Sequence, residues 1–121
     1  MINETFDKHY EDTRIQGGST CCPGCGGPLF WKMALQVLGQ KTIVYGDGPC
    51  AMCALRYIKI PHMAIHFSFI ADGATGIGAA LRAKGREDVT LISSAGDGAS
   101  ADISFGKISA AAERNENMIQ I

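Results

Sequence analysis

The chain has 121 residues, 46% of them hydrophobic and 19% charged, with a formal net charge of −1. That is the length of one domain or of part of a larger one, and so even a balance removes the electrostatic case for a nucleic-acid binder or a polybasic membrane-surface protein. No apolar run nears the roughly 20 residues of a spanning helix, and the opening MINETFDKHYEDTR lacks the apolar core of a secretory signal, so the expected location is cytoplasmic.

Residues 1–20 are polar, end in Gly17-Gly18-Ser19-Thr20 and read as an arm lying against something else, with 21–121 as the domain proper. The stretch from Cys21 to Pro28 is too rich in glycine and proline for the inside of a helix or strand. From Leu29, the spacing of Phe30, Met33, Ala34, Val37 and Leu38 predicts a helix with those residues on one apolar face. Pro28 suits its first turn and Gly39 its stop. Lys41 to Tyr45 is a short β-branched strand running into Gly46-Asp47-Gly48-Pro49-Cys50, read as a turn. Residues 51–60 follow no single pattern, and Ile65 to Ile70 suits either a strand or the start of a buried helix. Gly73 to Lys84 is a small-residue helix closed by Gly85, and Asp88 to Ser93 is a strand leading into Ala95-Gly96-Asp97-Gly98. Ala101 to Arg114 is a helix with Ala101, Phe105, Ile108 and Ala112 on one face, and Asn117 to Ile121 begins a further strand. Strands alternating with helices, with glycine turns at the strand ends, predict an α/β fold on a parallel sheet. With its last strand stopping at Ile121, the sheet is expected to be incomplete at the C-terminus.

Glycine is 15 of 121 residues and cysteine is 5. Clustered cysteines in a chain without an export signal point to metal or redox chemistry rather than disulfides. Cys22 and Cys25 form one C-x-x-C, and Cys50 and Cys53 form another, Cys50 standing 25 residues after Cys25. Four thiolates serve a tetrahedral zinc site or an iron–sulfur cluster equally well. A C-x-x-C just before a helix also suits a redox dithiol. For Cys21 and Cys53, taken singly, the competing reading is a small buried core thiol.

Ala95-Gly96-Asp97-Gly98 follows a hydrophobic strand and opens a helix, which is where open parallel sheets bind ligands. Glycines let the backbone approach a diphosphate, whose charge the helix N-terminus favours. An aspartate between them can hold Mg²⁺ as the metal bridges phosphate oxygens, and Ala99 and Ser100 continue the turn, Ser100 adding a hydroxyl. The competing reading is an ordinary strand-to-helix turn with Asp97 as a cap. The tripeptide alone decides nothing, since Gly46-Asp47-Gly48 repeats it where no amphipathic helix is expected.

Together these residues resemble the thiamine-diphosphate-binding beta subunit of the 2-oxoacid:ferredoxin oxidoreductases, the family of pyruvate synthase. The resemblance rests on C-P-G-C-G at Cys22 to Gly26, on Cys50 at the spacing of that family's third cluster cysteine, and on A-G-D-G at Ala95 to Gly98. A helix ending Ala111-Ala112-Glu113-Arg114-Asn115 and the H-x-x-F segment His66-Phe67-Ser68-Phe69 complete it. It covers residues 20 to 121 and implies the N-terminal part of a thiamine-diphosphate-binding fold.

By that resemblance, Cys22, Cys25 and Cys50 bind a [4Fe–4S] cluster. Gly96, Asp97, Gly98, Ala99 and Ser100 hold thiamine diphosphate, with Asp97 on Mg²⁺. The implied reaction is oxidative decarboxylation of a 2-oxoacid, pyruvate being the commonest. Electrons leave through the cluster to ferredoxin, and coenzyme A takes the acyl group. In the family, the fourth cluster cysteine and the second Mg²⁺ ligand lie beyond the stretch seen here, and a carboxylate that activates the thiamine comes from another subunit or domain. The chain is therefore expected to need the other subunits and to be inactive alone. Pro28 stands where pyruvate-type members often carry glycine, and Cys21 and Cys53 match no family cluster position. Two other readings compete: a zinc-stabilised module on Cys22, Cys25, Cys50 and Cys53, and a truncated, non-catalytic paralogue. Trp31 is expected to pack rather than to stack on a ligand, and His62 and His66 are more often hydrogen-bonded core or surface residues than ligands.

Overall fold

A computed structural model describes residues 14–47 and 49–121. The acidic start of the expected arm lies outside the described residues, but the end of the arm is anchored. Ile15 forms an antiparallel bridge with Ile58. Around it, the Gln16 amide donates to the Tyr57 carbonyl at 2.7 Å and the Lys59 amide to the Arg14 carbonyl at 2.7 Å.

Helix α1 runs Gly26–Leu38, capped at its start by Cys25 and stopped by Gly39 at φ 80°, a left-handed conformation that glycine adopts without steric cost. Strand β1 (Thr42–Asp47) follows after three residues, then helix α2 (Pro49–Leu55) and strand β2 (His62–Ala64). A 3₁₀ turn (Phe67–Phe69) leads into helix α3 (Ile70–Ala83), strand β3 (Thr90–Ala95), a π-helical turn (Ala99–Ile103), helix α4 (Phe105–Glu113) and strand β4 (Ile119–Gln120). The chain is thus α/β, with one four-stranded sheet in the order β2-β1-β3-β4, and every neighbouring pair is parallel.

Side chains alternate between the two faces of the sheet, as the period of 2 requires. Val44 and Ile92 join Trp31, Leu35, Leu55, Ile58 and Ile60 in a core under α1 and α2. Tyr45 and Leu91 join Ala74 in a second core under α3, flanked by Ile43, Ile77, Leu81 and Met118. Helices therefore cover both faces, which is what an all-parallel sheet needs. From β1 the chain moves one way to β2, then returns past β1 to β3 and on to β4. The connecting helices change face when the direction reverses, so that the crossovers keep one hand.

Two expectations need correction, and one open alternative is resolved. The Gly46-Asp47-Gly48 region is not a free turn: Gly46 and Asp47 end β1, and Pro49 opens α2, the first helical position that proline favours. Residues Ile65 to Ile70 are not a strand, because β2 ends before them; they lead through the 3₁₀ turn into a helix, with the fully buried Ile70 opening α3. Two helices also bury faces other than the expected ones. In α1 the buried residues are Trp31 and Leu35, while Phe30, Met33 and Val37 are exposed. In the last helix Ala101, Phe105 and Ala112 are exposed, and Ser104 and Ala111 are buried. The π turn there inserts one residue, which rotates everything after it by about 100° relative to a regular helix.

Candidate functional site

Ligands of open parallel sheets sit beyond the C-terminal ends of the strands, where the winding reverses. Here that place is the gap between β1 and β3, because β1 connects to one side of the sheet and β3 to the other. The two strands are in register from Thr42 against Thr90 to Asp47 against Ala95. The Gly46–Asp47 end of β1 therefore lies directly beside Ser94 and Ala95, the residues that lead into Gly96-Asp97-Gly98. A methyl group on Gly46 would run into the Ser94 carbonyl, so glycine is what lets the backbones approach at this spot. The sequence signal for Gly46 is a glycine at the end of a β-branched run.

After Ala95 the chain turns at once into helical backbone, with Asp97 and Gly98 in its first turn. The first N–H groups of a helix have no partner within it and carry partial positive charge. Asp97 and Gly98 are exposed, Ala99 is buried and Ser100 is half-buried. A Cβ placed at Gly96 or Gly98 would meet nothing within 4 Å, so this turn opens on free space. The Ser100 amide is already committed to the Gly96 carbonyl at 2.8 Å, which leaves its hydroxyl as the group to offer. A carboxylate, a hydroxyl and open amides are the donor set that a magnesium-bound diphosphate needs, and in this respect the residues fit it.

The first C-x-x-C is a tight turn. The Cys25 amide donates to the Cys22 carbonyl at 3.0 Å, with Pro23 and Gly24 between them and Gly24 at φ 78°. Proline then glycine at positive φ is the pattern of a type II turn. Cys25 is also the N-cap of α1, its Sγ accepting from the Gly27 amide at 3.4 Å. Cys22 and Cys25 are exposed, as is Cys50 near the start of α2. The three-residue connection from α1 to β1 sends α1 back along the sheet, so its start lies toward the same edge as the start of α2. Topology thus brings Cys22, Cys25, Cys50 and Asp97 to one edge. Among the described residues, no three His, Cys, Asp or Glu side chains converge as a metal site. The donor types fit a thiolate-bound cluster, while this set is not gathered into ligand geometry. Cys21 packs against the α1 core, in keeping with a structural thiol, and Cys53 is half-buried on α2.

His66 follows β2 at this same edge. Its Nδ1 accepts from the Ser68 amide at 3.4 Å and lies 2.8 Å from the Ser68 hydroxyl, capping the 3₁₀ turn. His62 is held instead by the Ile60 carbonyl, 3.0 Å from its Nδ1. A cavity of about 470 Å³ lies elsewhere, lined by Ile15, Gly18, Pro28, Leu29, Lys32 and Tyr57 among others. It touches neither the Gly96–Gly98 turn nor Cys50. No described helix is long and apolar enough to cross a membrane.

No protein-family model matches the chain. Individual relatives do. The chain is 36% identical over 116 residues to pyruvate synthase subunit PorB of Methanothermobacter thermautotrophicus, a match covering 92% of this chain and 40% of that protein. It is 32% identical over 126 residues to ketoisovalerate oxidoreductase subunit VorB of Pyrococcus furiosus, covering 96% of this chain and 39% of the relative. It is 29% identical to the beta subunit of NADH-dependent phenylglyoxylate dehydrogenase of Aromatoleum evansii, of which it covers 27%. The chain spans about two fifths of the length of the PorB and VorB relatives. Over nearly its whole length the chain is thus similar to the PorB and VorB subunits of oxidoreductases that act on 2-oxoacids.

Proposed function

We propose that this chain forms part of the beta subunit of a 2-oxoacid:ferredoxin oxidoreductase, working in the cytoplasm with the other subunits of the enzyme. Residues 21–121 form the N-terminal part of its cofactor-binding domain. Gly96, Gly98, Ala99 and Ser100 hold the diphosphate of thiamine diphosphate, with Asp97 on Mg²⁺, and Cys22, Cys25 and Cys50 serve a [4Fe–4S] cluster. When bound, thiamine diphosphate would supply the electron sink for decarboxylation, and a cluster would supply a route for electrons toward ferredoxin. The chain's own residues bind and orient: the glycine turn admits the diphosphate, Asp97 fixes the metal, and the type II turn carries Cys22 and Cys25 at its two ends. Pyruvate is the preferred substrate, as the name of the pyruvate synthase relative supports, and coenzyme A is the proposed acyl acceptor. Another subunit would cover the apolar stripe that α1 leaves exposed.

The observation that carries this reading is the position of Gly96-Asp97-Gly98 at the point where the winding of the sheet reverses. The test is the protein purified anaerobically with its accompanying subunits, assayed for iron, acid-labile sulfide, zinc and calorimetric binding of thiamine diphosphate with Mg²⁺. Asp97→Ala is expected to weaken cofactor binding at least tenfold and leave iron intact. Cys50→Ala is expected to lose the cluster, and Cys53→Ala to keep it. Unchanged affinity in Asp97→Ala defeats the diphosphate assignment; zinc without sulfide, lost equally from Cys50→Ala and Cys53→Ala, replaces the cluster with a structural zinc.

A further inference from the structure

The two loops at the C-terminal edge of the sheet are fastened together by side chains that the proposed site does not use. The 3₁₀ turn after β2 packs against the π turn that follows Gly96-Asp97-Gly98. Two successive carbonyls of the 3₁₀ turn are captured from the far side. The Ser104 hydroxyl donates to the Phe67 carbonyl at 2.6 Å, and the Lys107 ammonium donates to the Ser68 carbonyl. Lys107 also pairs with Asp72 at 3.2 Å and stands over the Phe69 ring, 4.4 Å from its centroid. Ser104 is fully buried, and it closes the π turn by donating its amide to the Ala99 carbonyl at 2.9 Å. Ser104 and Lys107 are three residues apart, on one face of the helical segment, so together they make a two-point latch. The inserted residue of the π turn sets that face toward the 3₁₀ turn.

The latch bears on one group with chemistry, the imidazole of His66. Because a backbone N–H can only donate, the Ser68 amide makes Nδ1 of His66 an acceptor, and the neutral ring carries its proton on Nε2. The ring is stacked on Phe67, with centroids 4.2 Å apart, and is exposed, so its orientation depends on the turn beneath it. We propose that Ser104 and Lys107 are positioning residues that lock the 3₁₀ turn to the helix after Gly96-Asp97-Gly98, holding His66 as a fixed Nε2–H donor at the anion-binding edge. The anion in question rests on the diphosphate reading above; the latch itself does not.

The experiment uses the full chain with its accompanying subunits, labelled with ¹⁵N in the histidine rings, and thiamine diphosphate with Mg²⁺ as the binding probe. His66, assigned by its loss in His66→Gln, is expected to show a single tautomer protonated at Nε2. In Lys107→Met the tautomers average and affinity falls about tenfold, the size of one lost charge-assisted hydrogen bond; Lys107→Arg recovers both. Ser104→Ala, which removes only one oxygen, shifts both readouts the same way and guards against a folding defect. A single tautomer that survives in Lys107→Met, or an affinity that Lys107→Arg does not restore, overturns the proposal. A Lys107-dependent tautomer in a wild-type protein that binds no thiamine diphosphate refutes the diphosphate reading and supports the latch.

Discussion

Asp88 illustrates how much a single surface residue takes from its neighbours. Lys41 stands 2.9 Å from one carboxylate oxygen and Arg86 2.9 Å from the other, and these hydrogen bonds, Lys41 first, lower its pKa to about 2. Its folded pKa lies below the unfolded value, so any stability it gives is present above pH 3.8 and is lost as pH falls toward 2. A carboxyl-carbon NMR titration is expected to place its midpoint near 2, and Lys41→Met to move it up toward the ordinary value. Both cations are largely exposed, so the shift shrinks in high salt. Arg86 is a sequence neighbour of Asp88, but the Lys41 contact was not readable from the sequence. Lys41 and Asp88 are far apart along the chain and meet only because β1 and β3 pair in register with Thr42 against Thr90. Asp97 differs: its place at a strand end before a helix followed from the local pattern alone.

At the scale of elements, α1 separates what periodicity reveals from what it leaves open. Its helical character, proline near the start and glycine at the stop were legible, because propensity and caps are local. Which face it buries was not. The helix carries apolar residues around most of its circumference, with Lys32 its single charge, so more than one stripe met the spacing rule. The sheet settled on Trp31 and Leu35, leaving Leu29 61%, Met33 59% and Val37 86% exposed. Leu35→Ala is expected to cost about 2–5 kcal/mol, as buried leucines do. Val37→Ala is expected to stay within about 0.5 kcal/mol. Denaturant titration of the two variants checks this, and equal losses would mean that α1 buries the other face. The last helix departs from its expected face for a different reason: one π-helical insertion moves the phase of every later residue, and no composition signal announces it.

For the molecule as a whole, stability is concentrated at the centre of the sheet. β1 and β3 share six registered residue pairs and are covered on both faces. β2 contributes three pairs at one edge and β4 two at the other. Amide hydrogen exchange tracks such differences in local opening. Val44, Tyr45 and Ile92 are expected to exchange slowest, and the amides of β2 and β4 at least tenfold faster. Comparable protection at an edge would mean that another strand or chain covers it.

The sequence by itself determined the alternation of strands and helices, the parallel α/β class, the turns that hold Cys22 and Cys25, and the strand-to-helix position of Gly96-Asp97-Gly98. These follow from periods of 2 and 3.6, from caps and from glycine, all of which act over a few residues. Only the tertiary structure decided that β1 and β3 are neighbours, that Gly46 therefore lies beside the approach to Asp97, and that Ser104 and Lys107 reach back to the His66 turn. Strand order is set by which apolar faces can be covered together, a long-range condition that no local window contains.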